Sequence, residues 1–220
     1  MNAEDLGSLA LDMIKQGMAS LWNGTFYAYS DGPDCHNWGE LAVIQAAHAA
    51  ELLMKARIVQ ENFAHIFTKN PDLKKLSSKT ELFEKFKTIG WSELPGHLKK
   101  YANITIPHVN KYRDFGKLRN VIYHLSIHPY IEPRMATLKF IFEVVDPFIN
   151  DNWGLFAIDC GADYEPYSYL PKILVESGIL FRVSRESAIA YNEWDIDWSK
   201  VKKRHREEML TRISHAMNTV

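Results

Sequence analysis

Cysteine is nearly missing from this chain: two occur in 220 residues, Cys35 and Cys160. A disulfide-stapled scaffold needs more, so at most one bridge is available, and the core has to come from apolar burial. The N-terminal Met1-Asn2-Ala3-Glu4-Asp5 is acidic and lacks the basic region and apolar stretch of a secretory signal. Two separated thiols behind such an N-terminus predict a cytoplasmic, reducing environment. No apolar run approaches the roughly 18–20 residues needed to cross a bilayer, so no membrane association is expected. Charge of one sign is also lacking, with a formal net charge of −1. A protein that coats long nucleic acid carries a basic excess; here any contact with RNA has to be short or locally concentrated. Internal repeats, low-complexity tracts, a Gly-rich phosphate loop, a Gly-x-Ser-x-Gly elbow and a His-Glu-x-x-His pair are all absent.

What is present is helical periodicity. Leu6, Leu9, Met13, Ile14, Met18 and Leu21 recur at three and four residues, predicting a helix from Ala3 to Trp22 that stops at Asn23-Gly24. Tyr29 to Asn37 is turn-rich and reads as a loop. From Gly39 to Phe67 the chain is rich in Ala and Leu and has almost no breaker, which predicts a long central helix. A short helix is expected over Thr80 to Thr88, entered at a capping box of Ser78 with Glu81. The stretch Trp91 to Thr105 is less regular. Val109, Tyr112, Phe115, Leu118, Ile122 and Leu125 then predict a helix over Val109 to Leu125, bounded by Pro107 and Pro129. A further helix begins at Glu132 or Pro133 and is kinked or ended at Pro147.

The expected fold is therefore mostly α: a bundle of four to five helices over residues 1–150, with a small C-terminal α+β extension over 151–220. In the extension, Trp153–Cys160 and Gly178–Val183 read as short strands, with Ser187–Trp194 pairing with the latter as a β-hairpin. A terminal helix from Ser199 to Met217 carries Lys200, Lys202, Lys203, Arg204 and Arg206. Such a basic stretch is first a solvated helix face, with an acidic partner such as RNA as the alternative.

Chemistry is concentrated in the run Arg119-Asn120-Val121-Ile122-Tyr123-His124. Asn120 and His124, four apart, share a helix face. Arg119 and His124 are rotated by roughly 140° and do not, unless the arginine swings round. Imidazole can take a proton from a ribose 2′-OH or give one to a leaving 5′-oxygen. Guanidinium can clamp phosphate oxygens and stabilise transition-state charge, and the Asn120 amide can orient the ring. No cofactor is called for. His124 and His128 are four apart, but Pro129 biases His128 away from helical geometry and no further ligand lies at matching spacing, so no metal site is expected. The ordinary alternative is a surface arginine with a half-buried histidine at a helix end, and for Glu51 a salt bridge to Lys55.

Arg119-Asn120-x-x-x-His124 resembles the Arg-x(4–6)-His motif of the HEPN superfamily. In those helical bundles the motif lies near the end of a late helix and the arginine is often followed by Asn. Ala46-Ala47-His48-Ala49-Ala50-Glu51-Leu52-Leu53-Met54-Lys55-Ala56 is similar to that family's A-x-E-L-L-x-K-A stretch. The resemblance covers roughly residues 1–150. It implies a metal-independent endoribonuclease that leaves a 2′,3′-cyclic phosphate and a 5′-hydroxyl. The implied catalytic residues are Arg119, Asn120 and His124, with Glu51 and Tyr123 supporting. It also implies a two-fold homodimer whose site takes one Arg/His pair from each chain, RNA as substrate, an antitoxin or regulatory partner, and a toxin–antitoxin or phage-defence setting. The other outcome is a HEPN-like module that binds RNA or nucleotide, or dimerises, without catalysis. The tyrosine found two residues after the histidine in members modified by a partner nucleotidyltransferase is Ser126 here.

Overall fold

The computed structural model describes residues 3–30, 37–69, 71–72, 79–125, 131–160 and 166–218. Cys35, Ser78, Ser126, His128 and Pro129 lie outside them, and with them the capping box and the second thiol. The chain is mostly helical, and no described helix is long and apolar enough to cross a membrane.

Helix α1 (Ala3–Tyr29) does not stop at Asn23-Gly24 but runs through it. The reason lies on its partner, α2 (Trp38–Glu61). A Cβ on Gly24 would lie 3.0 Å from the backbone nitrogen of Ala46 and 3.3 Å from the carbonyl oxygen of Ala42. Seven residues earlier, a Cβ on Gly17 would lie 2.7 Å from Leu53 Cγ. Gly24 marks where the two helix backbones approach closely and Gly17 makes room for the Leu53 side chain; neither is a terminator. The facing positions on α2 are correspondingly small: Ala42, Ala46 and Ala49 are all buried. Covered by α1 on this side and by later helices on others, α2 buries residues around nearly its whole circumference. It ends at Glu61, and Phe63–Ile66 continues as a 3₁₀ turn capped by the Asn62 side chain.

An isolated antiparallel bridge between Phe67 and Thr88 then lays the chain back along the end of α2, after α3 (Lys79–Lys85). The one-turn helix α4 (Leu94–His97) widens into a π turn over Leu98–Ala102. Helix α5 spans Val109–Leu125, as its periodicity predicts, and buries Tyr112, Phe115, Gly116, Leu118 and Ile122. Helix α6 (Pro133–Phe140) starts on a Glu132 cap with proline in its first turn. Pro147 does not end the helical path: a π turn over Ile141–Val145 widens the backbone just before it, and α7 (Asp146–Trp153) carries proline in its first turn.

The C-terminal region departs from the expected α+β extension. Among the described residues it has no strand. Ala157–Asp159 is a 3₁₀ turn, and the expected hairpin arm is helix α9 (Arg185–Ile189) followed by a 3₁₀ turn over Ala190–Glu193. Alternation in 179–183 is real, since Ile179, Phe181 and Val183 are buried. Its backbone, however, pairs with a side chain: Asp146 accepts from the Arg182 N–H at 2.8 Å and from the Ala157 N–H at 2.8 Å. Ser184, which lies between the two expected hairpin arms, caps α9 by accepting from the Ser187 N–H at 3.1 Å. Helices α8 (Pro166–Glu176) and α10 (Lys203–Asn218) complete the region. One contiguous hydrophobic cluster joins it to the bundle, with Phe142 against Phe181 (6.0 Å between centroids) and Phe181 against the fully buried Trp194 (5.7 Å).

Two expectations follow. Gly24→Ala gains up to ~1 kcal/mol in helix propensity but forces two backbones apart, and overpacking of ~1–3 kcal/mol outweighs the gain. Urea denaturation should show a net loss, whereas Gly96→Ala, with open space around its Cβ position, should be neutral or stabilising. Burial pushes Asp146 up from 3.8 to about 7, against the lowering influence of its two backbone N–H donors and Arg182. Between those values the folded chain holds a proton that the unfolded chain has released, so this contribution to stability falls as pH rises through 7. Unfolding free energies at about pH 5 and about pH 8 should therefore differ by a component that Asp146→Asn lacks; identical pH slopes in the two proteins would show that Asp146 is not its source.

Candidate active site at the end of α5

Buried positions on α5 set where the motif points. Tyr112, Gly116 and Ile122 face inward, and Arg119 follows the same stripe and is half-buried. Asn120, Tyr123 and His124 fall on the outer side and are exposed. The arginine does not swing round to the histidine. Its Nη2 reaches across to α2 and pairs with Glu51 Oε2 at 3.3 Å, while Nη1 donates to Asn120 Oδ1 at 2.9 Å. Among the described residues no hydrogen bond joins Arg119 to His124. The His124 ring instead meets the Tyr123 ring edge-on, 5.3 Å between centroids.

Glu51 bridges two cations. Its other oxygen accepts from Lys55 Nζ at 2.7 Å, and Lys55, buried on α2, also donates to Thr88 Oγ1 at 3.1 Å. The expected Glu51–Lys55 salt bridge and the Glu51–Arg119 contact thus coexist. The Phe67–Thr88 bridge is what brings Thr88 to Lys55 and carries the chain onward to Trp91.

Trp91 is the residue that sequence reasoning left unassigned. The Arg119 guanidinium carbon lies 5.7 Å from its ring centre, within cation–π range. The ring is itself held on its other contacts: it stacks on Tyr112 at 4.2 Å with 1° between planes, and the Tyr112 hydroxyl donates to the Trp91 carbonyl at 2.8 Å. Burial, with the Glu51 carboxylate nearby, pushes the Tyr112 phenol well above its ordinary value, so it stays a donor. Gly116 makes room, because a Cβ there would lie 2.3 Å from Trp91 Nε1. That glycine in mid-helix was the available signal: it weakens a helix and so needs a packing reason.

Outside the motif, Cys160 is half-buried, and desolvation together with the nearby Asp146 and Asp159 pushes its thiol up to about 12, which leaves it protonated and unsuited to nucleophilic work. Among the described residues no three His, Cys, Asp or Glu side chains converge as a metal-ligand set. The basic C-terminal stretch is largely a solvated, locally paired face: Lys200 meets Asp197 at 3.2 Å, and Arg206 lies 5.8 Å from the Trp198 ring.

The bridging carboxylate is testable by stability alone. Glu51→Gln should destabilise by ~1–3 kcal/mol, because it strands the buried Lys55 ammonium and frees Arg119. Adding Lys55→Met should recover part of that loss in a double-mutant cycle; strictly additive losses would mean that the two charges do not share an interaction. No family model, curated protein or solved structure matches the chain.

Proposed function

We propose that the chain is a HEPN-type, metal-independent RNA endonuclease that acts as a homodimer, with His124 as general acid/base and Arg119 stabilising phosphate charge. The observation that carries this reading is the division of labour on α5. Arg119 is braced from below by Glu51 and Trp91, while Asn120 and His124 stand in solvent one turn apart on the same face. A fixed cation and an exposed imidazole at one helix end suit cleavage by the ribose 2′-OH, which needs a proton acceptor, a proton donor and charge stabilisation.

Among the described residues one chain offers one histidine at this end of α5, and two-proton chemistry works best with two. A second copy related by a two-fold axis would bring another His124 and Arg119 to the same phosphate. Exposed apolar side chains flank the motif and support an interface there: Tyr123 is 69% exposed, Leu125 71% and Ile131 44%. By the same resemblance, an antitoxin or other regulatory protein and a defence setting belong to this proposal.

One observation favours the non-catalytic reading, an RNA- or nucleotide-binding or dimerising module: in the single chain the Arg119 charge is already answered by Glu51. The two separate by activity. Purified protein incubated with total RNA in EDTA should cleave it and leave 2′,3′-cyclic phosphate ends. His124→Ala should slow cleavage by ~10²–10⁴-fold, the usual worth of a general acid or base, with RNA binding retained. Equal cleavage by the wild type and an Arg119→Ala/His124→Ala variant, or none by either, would sink the ribonuclease reading.

A further inference from the structure

A second cavity lies away from the α5 motif, where the C-terminal region closes on the bundle. Its volume is about 480 Å³, within the range of sites for small organic ligands, and it is open on one side. Three arginines line it, Arg182 and Arg185 around the start of α9 and Arg212 on α10, together with His215 and one carboxylate, Glu186. Phe156, Val183 and Ala216 supply an apolar wall, and Val183 and Ala216 are buried.

The state of each arginine decides what the cavity wants. Arg212 is anchored, donating to the Phe181 carbonyl at 2.8 Å and to Glu208 at 2.7 Å. Two donors of its planar fork are thereby committed to framework, which holds the guanidinium in place at little further entropic loss on binding. Arg182 has one long contact, 3.4 Å to Asp151. Arg185 makes no hydrogen bond or ion pair among the described residues, although it lines the same cavity. A rigid arginine, a loosely tied one and an uncommitted one, lining the same cavity as an aromatic side chain, form a recognition set for a compact anion joined to a flat aromatic group. Inorganic phosphate would fill only the cationic side. A neutral ligand would leave Arg185 unanswered.

We infer that this cavity binds a phosphate monoester of mononucleotide size, with the phosphate on Arg182, Arg185 and Arg212 and the base against Phe156. The inference is independent of the ribonuclease reading, since it uses no residue of the α5 motif.

Calorimetric titration of the full chain with adenosine 5′-monophosphate, adenosine and inorganic phosphate tests it. The monophosphate should bind once per chain, with both adenosine and phosphate weaker by about tenfold or more, the worth of a charge-assisted hydrogen bond. Arg185→Ala, at an exposed position with no structural contact to lose, should weaken the monophosphate by about tenfold, the same measure. Arg204→Ala removes an equal charge outside the cavity and should leave affinity unchanged. No saturable binding at millimolar monophosphate would overturn the inference, as would equal affinity in wild type and Arg185→Ala. Phosphate binding as tightly as the monophosphate would overturn the assigned ligand size.

Discussion

The close crossing of α1 on α2 is the constraint from which the remaining architecture follows. Gly24 lets the α1 backbone sit against Ala42 and Ala46, and Gly17 receives the Leu53 side chain, so one side of α2 is sealed by a close contact. With that side closed and the others covered by later helices, α2 becomes a central rod. A buried rod can carry ionised groups only where they are paired. Glu51 and Lys55 are such a pair one helical turn apart, and Glu51 has one oxygen left over for a partner from outside. Arg119 is that partner. The candidate site is therefore attached to the buried central helix through a carboxylate that the helix needs in any case to pair Lys55.

Periodicity made the bundle legible where one face alone is buried. Helix α5 is the clearest case, because Tyr112, Phe115, Leu118 and Ile122 are inward and charged residues alternate with them. Periodicity failed where glycine and proline act through tertiary contact and not through local propensity. Gly24 looks like a stop until Ala46 is placed beside it, and at Pro147, read as a kink or an end, the helical path goes on behind a π turn. The C-terminal error has a third cause. Residues 179–183 alternate as a strand does, yet the Arg182 N–H donates to the buried Asp146 carboxylate, 36 positions upstream and invisible to any local pattern. Once that carboxylate replaces a neighbouring strand, Ser184 is free to cap a helix.

At the site, the sequence motif located Arg119, Asn120, Glu51 and His124, and the helical wheel already separated the arginine from the histidine. What it could not show is how the arginine is held. Trp91 lies in a stretch without regular spacing, and its position depends on a single bridge between Phe67 and Thr88 and on a gap at Gly116. Such long-range placement leaves only an indirect trace in sequence, a glycine where a helix would prefer alanine.

The Glu51 pair does not disqualify Arg119 from binding phosphate. A guanidinium has five N–H donors, and here one goes to Glu51 and one to Asn120. The remaining donors are uncommitted, and the ring of Trp91 restrains the plane in which they point. Removing the carboxylate would leave a more positive but freer arginine, which would have to lose side-chain entropy when it met a ligand. Retaining it lowers the bare charge and fixes the fork beforehand, an exchange that favours a geometrically demanding transition state over tight ground-state binding. A chain with a net charge of −1 has little long-range attraction for RNA to draw on, so the case for this site rests on orientation at short range, where a braced arginine is worth more than a loose one.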